Sequence, residues 1–333
     1  MHNTYSRRKF IQSSLASLAY GALFIQGQRL NAYEMPTRML GNTGEYVSII
    51  GIGGWHIGYN LTAAQSANIQ HEAINNGINF FDNCWDYNDG VSEEFMGKAL
   101  SVNGYRNKVF LMTKVCARDY QGAKKHLEDS LRRLKTDHID LWQFHAIKWD
   151  DDPDLIFDEK NGALKAALEA KKEGKIRFIG FTGHQHPKFH LAMLKKDFEW
   201  NTIQFPTNML DFHYTSFQKE VLPLAYERNI GIIGMKGLAA QDGIIPRELG
   251  ISAELCRRYA LSLPVSTLVC GIGSTKDLWQ DIHIAKNFQP LTQSEIDELN
   301  LKAAEKGKDG LMEEYKVGNY GCDWHHKHLN EKS

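Results

Sequence analysis

The strongest constraint on this chain is its rhythm. From about residue 35 onward, the runs "SIIGIGGW", "INFFDNC", "KVFLMTKV", "HIDLWQFH", "KIRFIGFT", "NTIQFPTN", "IGIIGMKG" and "STLVCGIG" carry the β-branched and aromatic bias of strands. Between them, segments such as "AAQSANIQHEAINN", "SEEFMGKALS", "AKKHLEDSLRRLK" and "FQKEVLPLAYERN" repeat apolar residues every three or four positions, the pattern of helices with one buried face. Eight β/α units in about 250 residues predict an α/β fold of the closed (β/α)8 TIM-barrel type. An open doubly wound sheet uses fewer strands and a G-x-G-x-x-G turn, and "GIGGWH" lacks that spacing. Ahead of the first strand, "TRMLGNTGEYVS" predicts a short hairpin closing the barrel bottom. A C-terminal helix and tail follow the eighth unit. Residues 1-34 read as export signal and linker, and 35-333 as one barrel domain.

Charge narrows the class of ligand. The chain carries a formal net charge of -1 and no long Lys/Arg block, so it has no electrostatic footprint for nucleic acid or an anionic membrane. A small molecule is the expected substrate. Cys84, Cys116, Cys256, Cys270 and Cys322 show neither C-x-x-C spacing nor scaffold density, and no metal is expected. Cys84 and Cys116 stand two residues beyond Asp82 and Lys114 on neighbouring strands; they read as buried unpaired thiols, with a thiol pair as the alternative. The tail "CDWHHKHLN" has metal-binding residue types without an identifiable partner ligand.

The N-terminal stretch "SRRKFIQSSLASLAYGALFIQGQ" sets Arg7 and Arg8 ahead of Phe10, and no charge then appears until Arg29. A charged n-region followed by an apolar h-region is the layout of an export signal, and the arginine pair resembles a twin-arginine signal. The expected partner is the twin-arginine export machinery and the expected location the periplasm, with no membrane association beyond the signal segment. Without a functional signal the location would be cytoplasmic.

In a (β/α)8 barrel the reacting groups sit where strands end at the C-terminal face. The second strand ends in Asp82, the third in Lys114 and the fourth in His145, with Tyr87 in the loop just beyond Asp82. Singly, each has an ordinary reading: a structural ion pair, a rim phenol, a hydrogen-bonded core histidine. Together they suit carbonyl reduction. An ammonium at Lys114 is expected to lower the pKa of the Tyr87 phenol, Asp82 to keep that ammonium charged and oriented, and His145 to donate to the carbonyl oxygen.

"FDNCWDYNDGVSEEFMGKAL", "FLMTKV" and "HIDLWQFH" resemble the signature regions of the aldo/keto reductase family, over roughly residues 38 to 290. The resemblance implies a nicotinamide enzyme, using NADP or NAD without a Rossmann domain, with Asp82, Tyr87, Lys114 and His145 as a catalytic tetrad. It implies a nicotinamide site at Thr182, Gly183, His184 and Gln204, a pyrophosphate track along Met235, Lys236 and Gly237, and an adenosine end at Gly271, Gly273, Ser274, Lys276 and Asp281. Asp281 stands where the family usually has Asn, and Asp277 where NADP-preferring members often have Arg, so cofactor preference is open. Trp55, His56 and Trp85, after the first two strands, form a candidate stacking wall for a sugar or aromatic ring, with barrel packing as the alternative. The expected function is interconversion of a carbonyl (aldehyde, ketone or keto-sugar) and an alcohol, with Tyr87 as general acid/base. The competing readings are a cofactor-binding redox sensor or partner subunit, and a non-redox lyase or epimerase.

Overall fold

Alternation along the strands decides what faces the barrel interior. In the computed structural model, which describes residues 34–239, 243–318 and 320–330, every β-rich run forms a strand. The export-signal reading at Arg7 and Arg8 lies outside the described residues. Two hairpin strands, β1 (Thr37–Met39) and β2 (Tyr46–Ser48), precede β3 (Ile50–Gly53), β4 (Phe80–Asp82), β5 (Phe110–Val115), β6 (Ile139–Phe144), β7 (Ile176–Thr182), β8 (Thr202–Pro206), β9 (Gly231–Met235) and β10 (Thr267–Gly271). Strands β3 to β10 pair in chain order, all parallel, and β10 closes on β3.

Residues of one parity fill the lower barrel: Phe80, Phe110, Met112, Leu141, Ile233 and Val269 form one cluster, into which the hairpin inserts Leu40 and Val47. The antiparallel pairing of Arg38 with Val47 fixes that insertion, so the hairpin closes the bottom as the sequence predicts. Glycine is obligatory at its turn. Gly41 has φ +53°, and a Cβ there would lie 2.1 Å from the backbone nitrogen of Gly231.

Residues of the other parity, such as Phe81, Leu111, Trp142 and Phe181, face the helices. The helices are α1 (Ala63–Asn75), α2 (Val91–Leu100), α3 (Tyr120–Leu134), α4 (Ala163–Lys172), α5 (Pro187–Lys195), α6 (Leu222–Glu227), α7 (Ala253–Ser262), α8 (Thr275–Lys286), α9 (Gln293–Gly307) and α10 (Trp324–Asn330), with shorter turns between. Their starts are chemically specified: Thr62 with Gln65 and Thr292 with Glu295 form capping boxes, and Asp119, Ser252 and Ser274 cap α3, α7 and α8. Ala123, Leu127, Leu131 and Leu134 give α3 its buried stripe.

After α9 the chain returns over the loops at the strands' C-terminal ends. Lys148 Nζ donates to the Tyr320 carbonyl at 3.1 Å, His325 Nε2 lies 3.0 Å from Asp152, and the Trp324 ring meets Trp85 edge-on at 5.9 Å.

Candidate active site

Parity carries three polar residues inward at the mouth. Asp82 follows Phe80 by two, Lys114 follows Met112 by two and His145 follows Leu141 by four, so each shares the inward face of its strand. Lys114 Nζ contacts Asp82 Oδ1, donates to the Asn83 carbonyl at 2.7 Å and reaches the Tyr87 hydroxyl at 3.3 Å. Gln204 Nε2 donates to the other Asp82 oxygen at 3.3 Å. The Tyr87 and His145 rings sit 5.7 Å apart, nearly perpendicular. Asp82, Lys114 and His145 are all buried. The structure therefore brings the four residues together.

Tyr87 is presented by a strained turn. Asn88 (φ +52°), Asp89 (φ +55°) and Gly90 (φ +90°) are successive left-handed residues, a conformation costing non-glycine residues about 1–3 kcal/mol each. The turn is held by Asn88 Nδ2, which donates to the Trp55 carbonyl and the Ser92 hydroxyl, both at 2.8 Å. Beneath it, buried Glu93 accepts from Thr113 at 2.6 Å and from Arg133 at 3.2 Å, and Arg133 also donates to the Trp85 carbonyl at 2.8 Å.

The electrostatics correct one expectation. Tyr87 is raised well above the ordinary phenol pKa, first by burial and then by the charge of Asp82. The Lys114 ammonium, engaged by Asp82, does not outweigh burial and the Asp82 charge, which reaches the phenol too. The phenol stays protonated at neutral pH. Burial pushes His145 down, but the neighbouring Cys84 and Asp86 outweigh it and raise this imidazole well above its usual value. His184 is lowered by burial and by Lys236, and burial lowers Lys236 to about 8.

The expected cofactor residues fall into two groups. Near the tetrad, Gln204 Oε1 is buried with no hydrogen-bond partner among the described residues, an acceptor suited to a carboxamide NH2. Thr182 and Gly183 are buried beside it, and Gly183 N–H donates to the Gln204 carbonyl at 3.3 Å. His184 Nδ1 lies 3.3 Å from the Tyr315 carbonyl. Past Met235, Lys236 takes a left-handed φ of +55°, its ammonium sits 4.7 Å from the Tyr315 ring centre, and Gly237 is buried next to it. Farther round, Gly273 has open space, since a Cβ there would meet only Asp277 Oδ2 at 3.8 Å. At Gly271 the His56 ring lies against the backbone, so that a Cβ would come within 2.3 Å of it and displace the ring. Ser274 caps α8, with its hydroxyl 2.8 Å from Asp277 Oδ2, and Lys276 is exposed. Asp281 is buried in an ion pair with Arg257, at 3.0 and 3.3 Å. The residues at the tetrad fit a nicotinamide amide; the far end offers room and a helix N-terminus with an acid already on it.

Of the three candidate substrate residues, Trp55 is 36% exposed, meets Tyr87 edge-on at 5.5 Å and stacks on Tyr59 at 6.1 Å. His56 packs against Gly271. Trp85 is held by the helix layer: its indole N–H donates to Asp129 at 3.3 Å and its ring lies 3.5 Å from His126, nearly parallel.

Sequence reasoning misses Asp86, Cys322, Asn208, Tyr315 and Arg257. Asn208 Nδ2 donates to the Lys236 carbonyl at 3.2 Å and to Glu313 and Tyr315, each at 3.1 Å. Asn208 shares parity with Gln204 four positions earlier, a signal that was there to read. Tyr315 and Cys322 come from the tail, whose course over the mouth has no local mark.

Residues 49–249 match the aldo/keto reductase family model; the chain belongs to that family. It is 32% identical to the uncharacterized oxidoreductase YrpG of Bacillus subtilis over 223 residues, 60% of this chain and 65% of YrpG. It is 32% identical over 160 residues to L-galactose dehydrogenase of Arabidopsis thaliana, 45% of this chain and 49% of that protein. These matches thus span less than two thirds of either relative. Among solved structures, aldo-keto reductase AKR11C1 from Bacillus halodurans, in its holo form, superposes with a TM-score of 0.68 at 26% identity, covering 82% of this chain and 99% of that one.

Proposed function

We propose that the chain is an NAD(P)H-dependent oxidoreductase that reduces an aldehyde or ketone, with Tyr87 as the proton donor. The observation that carries this reading is the Tyr87 hydroxyl 3.3 Å from Lys114 Nζ, which is itself tied to Asp82, with the His145 ring 5.7 Å from the phenol. A bound nicotinamide nucleotide would supply hydride, and Gln204, Thr182, Gly183 and His184 would hold its amide end. The protein's own part is proton delivery and charge stabilisation. Tyr87, kept protonated by burial and Asp82, gives its proton to the carbonyl oxygen, and Lys114 stabilises the phenolate left behind. His145 Nδ1 faces Cys84 and Cys116, so Nε2 is the nitrogen left to donate to the same oxygen as negative charge develops.

The exposed Trp55–Tyr59 pair beside Tyr87 is a stacking surface for a sugar face, and a relative is named for a galactose substrate. A sugar-like aldehyde or keto-sugar is the substrate class this supports. A turnover screen of aldehydes, ketones and keto-sugars with NADH and NADPH tests the reading, with Tyr87→Phe as control. Absence of reduction by the native chain, or equal rates in the variant, would sink it. The Arg7-Arg8 pair supports export by the twin-arginine route with the nucleotide already bound. Arg7→Lys with Arg8→Lys should leave the chain in the cytoplasm, and nucleotide released on denaturing exported protein should approach one per chain.

A further inference from the structure

Behind the tetrad, Cys84, Asp86 and Cys116, which the reduction mechanism does not use, gather around the far nitrogen of His145. Cys84 Sγ is 3.1 Å and Cys116 Sγ 3.5 Å from His145 Nδ1, and Asp86 Oδ1 approaches the same nitrogen at 3.4 Å. These four ligand atoms lie within 4.8 Å of one another. Both thiols and the imidazole are buried. The tail closes over them with Cys322, which packs with Cys84, Cys116 and Ala146 under Trp324. Parity explains the convergence: Cys84 and Cys116 each follow an inward-facing tetrad residue by two positions, so both turn toward the mouth.

We propose that Cys84, Cys116, His145 and Asp86 bind one thiophilic divalent cation, Zn2+ by its ligand set, behind the imidazole of His145. The spacing fits. A tetrahedral zinc with Zn–S of about 2.3 Å and Zn–N or Zn–O of about 2.0–2.1 Å sets its ligand atoms about 3.3 Å (N to O) to about 3.8 Å (S to S) apart; here Nδ1 has neighbours at 3.1, 3.4 and 3.5 Å, and all four atoms lie within 4.8 Å of one another. Two sulfurs, one imidazole nitrogen and one carboxylate select zinc over the hard cations.

The simpler explanation is an imidazolium–carboxylate pair among protonated thiols, and the geometry disfavours it. Such a pair closes to about 2.8 Å, whereas Asp86 Oδ1 stays at 3.4 Å from Nδ1, and its carboxylate is shared with the Cys84 and Cys322 thiols. A second rank of contacts braces the ligands. Arg118 donates to the Cys116 carbonyl at 3.1 Å and the His145 carbonyl at 2.6 Å, while its Nε pairs with Asp152 at 2.7 Å. That guanidinium also separates this site from the other metal-like group, Asp152 with His325 and His326, where Asp152 Oδ1 is already bound to a cation.

Binding forms two S–Zn bonds, one N–Zn bond and one O–Zn bond as the Cys84 and Cys116 thiols and the Nδ1–H of the His145 imidazolium release their protons to solvent, with no change of oxidation state. Metal on Nδ1 fixes the remaining N–H on Nε2, the tautomer that can donate to a carbonyl oxygen. That consequence rests on the proposed reduction; metal binding does not. The test is the metal content of the full chain, purified under reducing conditions, loaded with Zn2+ and dialysed, with Co2+ as spectroscopic probe. We expect about one zinc per chain and a thiolate-to-cobalt charge-transfer band. Cys116→Ser and Cys84→Ser should weaken binding by about 100-fold or more, Cys322→Ser by about 10-fold, and Cys256→Ser not at all, because Cys256 lies in a separate cluster. Three results overturn the proposal: well under one ion per chain with no charge-transfer band, equal binding in the Cys84 and Cys116 variants, or a disulfide between these thiols in the native protein. Should the serine variants fail to fold, the cobalt band of the unaltered chain still decides.

Discussion

Two buried carboxylate–cation pairs in this molecule have the same chemistry and different surroundings. Asp82 and Lys114 lie on adjacent strands at the barrel mouth, where the ammonium reaches the Tyr87 phenol and Gln204 holds the second carboxylate oxygen. Asp281 and Arg257 lie on neighbouring helices, α8 and α7, where the guanidinium takes both carboxylate oxygens. The first pair leaves the ammonium a proton to share and a phenol to act on; the second closes as a two-point clamp through Nε and Nη2 of the guanidinium. A buried ion pair therefore says little about function until its third contact is known.

The largest expected effect tests that contrast. Lys114→Met and Arg257→Met each leave a buried carboxylate unpaired, and each should lower unfolding free energy by about 3–5 kcal/mol, read by denaturant titration. Only Lys114→Met should also abolish carbonyl reduction. If Arg257→Met costs turnover at saturating cofactor as heavily as Lys114→Met, the two pairs are not functionally distinct.

Tyr87→Phe comes next, removing the hydroxyl and little volume. Reduction should fall by at least about 100-fold while nucleotide binding, followed by tryptophan fluorescence, is retained. The raised phenol pKa sets the pH profile. Reduction needs the protonated phenol, so its rate should hold through neutral and mildly alkaline pH and decline only above the ordinary phenol value of about 10. A decline centred near pH 7 that Tyr87→Phe removes would show the opposite perturbation.

What was legible in the sequence follows from how local each cause is. Strand parity is a two-residue pattern, so Phe80–Asp82 and Met112–Lys114 announce which side chains reach the mouth, and the eight strands and the hairpin follow from comparable short-range signals. Asp281 was legible as a position after the eighth strand, but its partner Arg257 lies 24 residues earlier on another helix, a pairing no spacing rule supplies. Tyr315 and Cys322 depend on where the tail lies after α9, which is decided by contacts as distant in sequence as Lys148 with Tyr320, 172 residues apart. The lowered phenol pKa was expected from Lys114 alone; the sign reversed because burial and Asp82 act on the same oxygen.

The helix layer beneath the mouth gives a smaller, purely thermodynamic effect. His126 is buried against Trp85, both of its ring nitrogens lack hydrogen-bond partners among the described residues, and burial lowers it to about 3. The folded state thus holds this imidazole neutral, while the unfolded chain takes up a proton below its ordinary value of about 6.5. Stability from this group is complete above that value and is lost as pH falls from there toward 3, by about 1.4 kcal/mol per pH unit. Unfolding midpoints between pH 7 and 4 should show the loss, and His126→Phe should reduce the slope by one proton's worth. An unchanged slope would assign the dependence to other groups, such as His190, which burial lowers to about 4.

The smallest effect concerns the proposed adenosine end of the cofactor site, where Arg257 is paired with Asp281. Arg257 is committed to Asp281, Lys276 is exposed, and Asp277 sits in the first turn of α8 with its carboxylate on the Ser274 hydroxyl. A helix N-terminus attracts anions, but an acid in its first turn already occupies that field and repels a 2'-phosphate. NADH should therefore bind more tightly than NADPH. Asp277→Asn keeps an oxygen able to accept from Ser274 while removing the charge, and the Ser274 cap on the Asp277 N–H, at 3.2 Å, is untouched. An exposed charge at a helix end is worth about 0.3–1 kcal/mol, so NADPH affinity should rise about two- to fivefold at low salt, NADH affinity should stay level, and the gain should shrink as salt screens it. Equal gains for both nucleotides would place the 2'-phosphate away from Asp277, and with it the boundary between the two halves of the mouth.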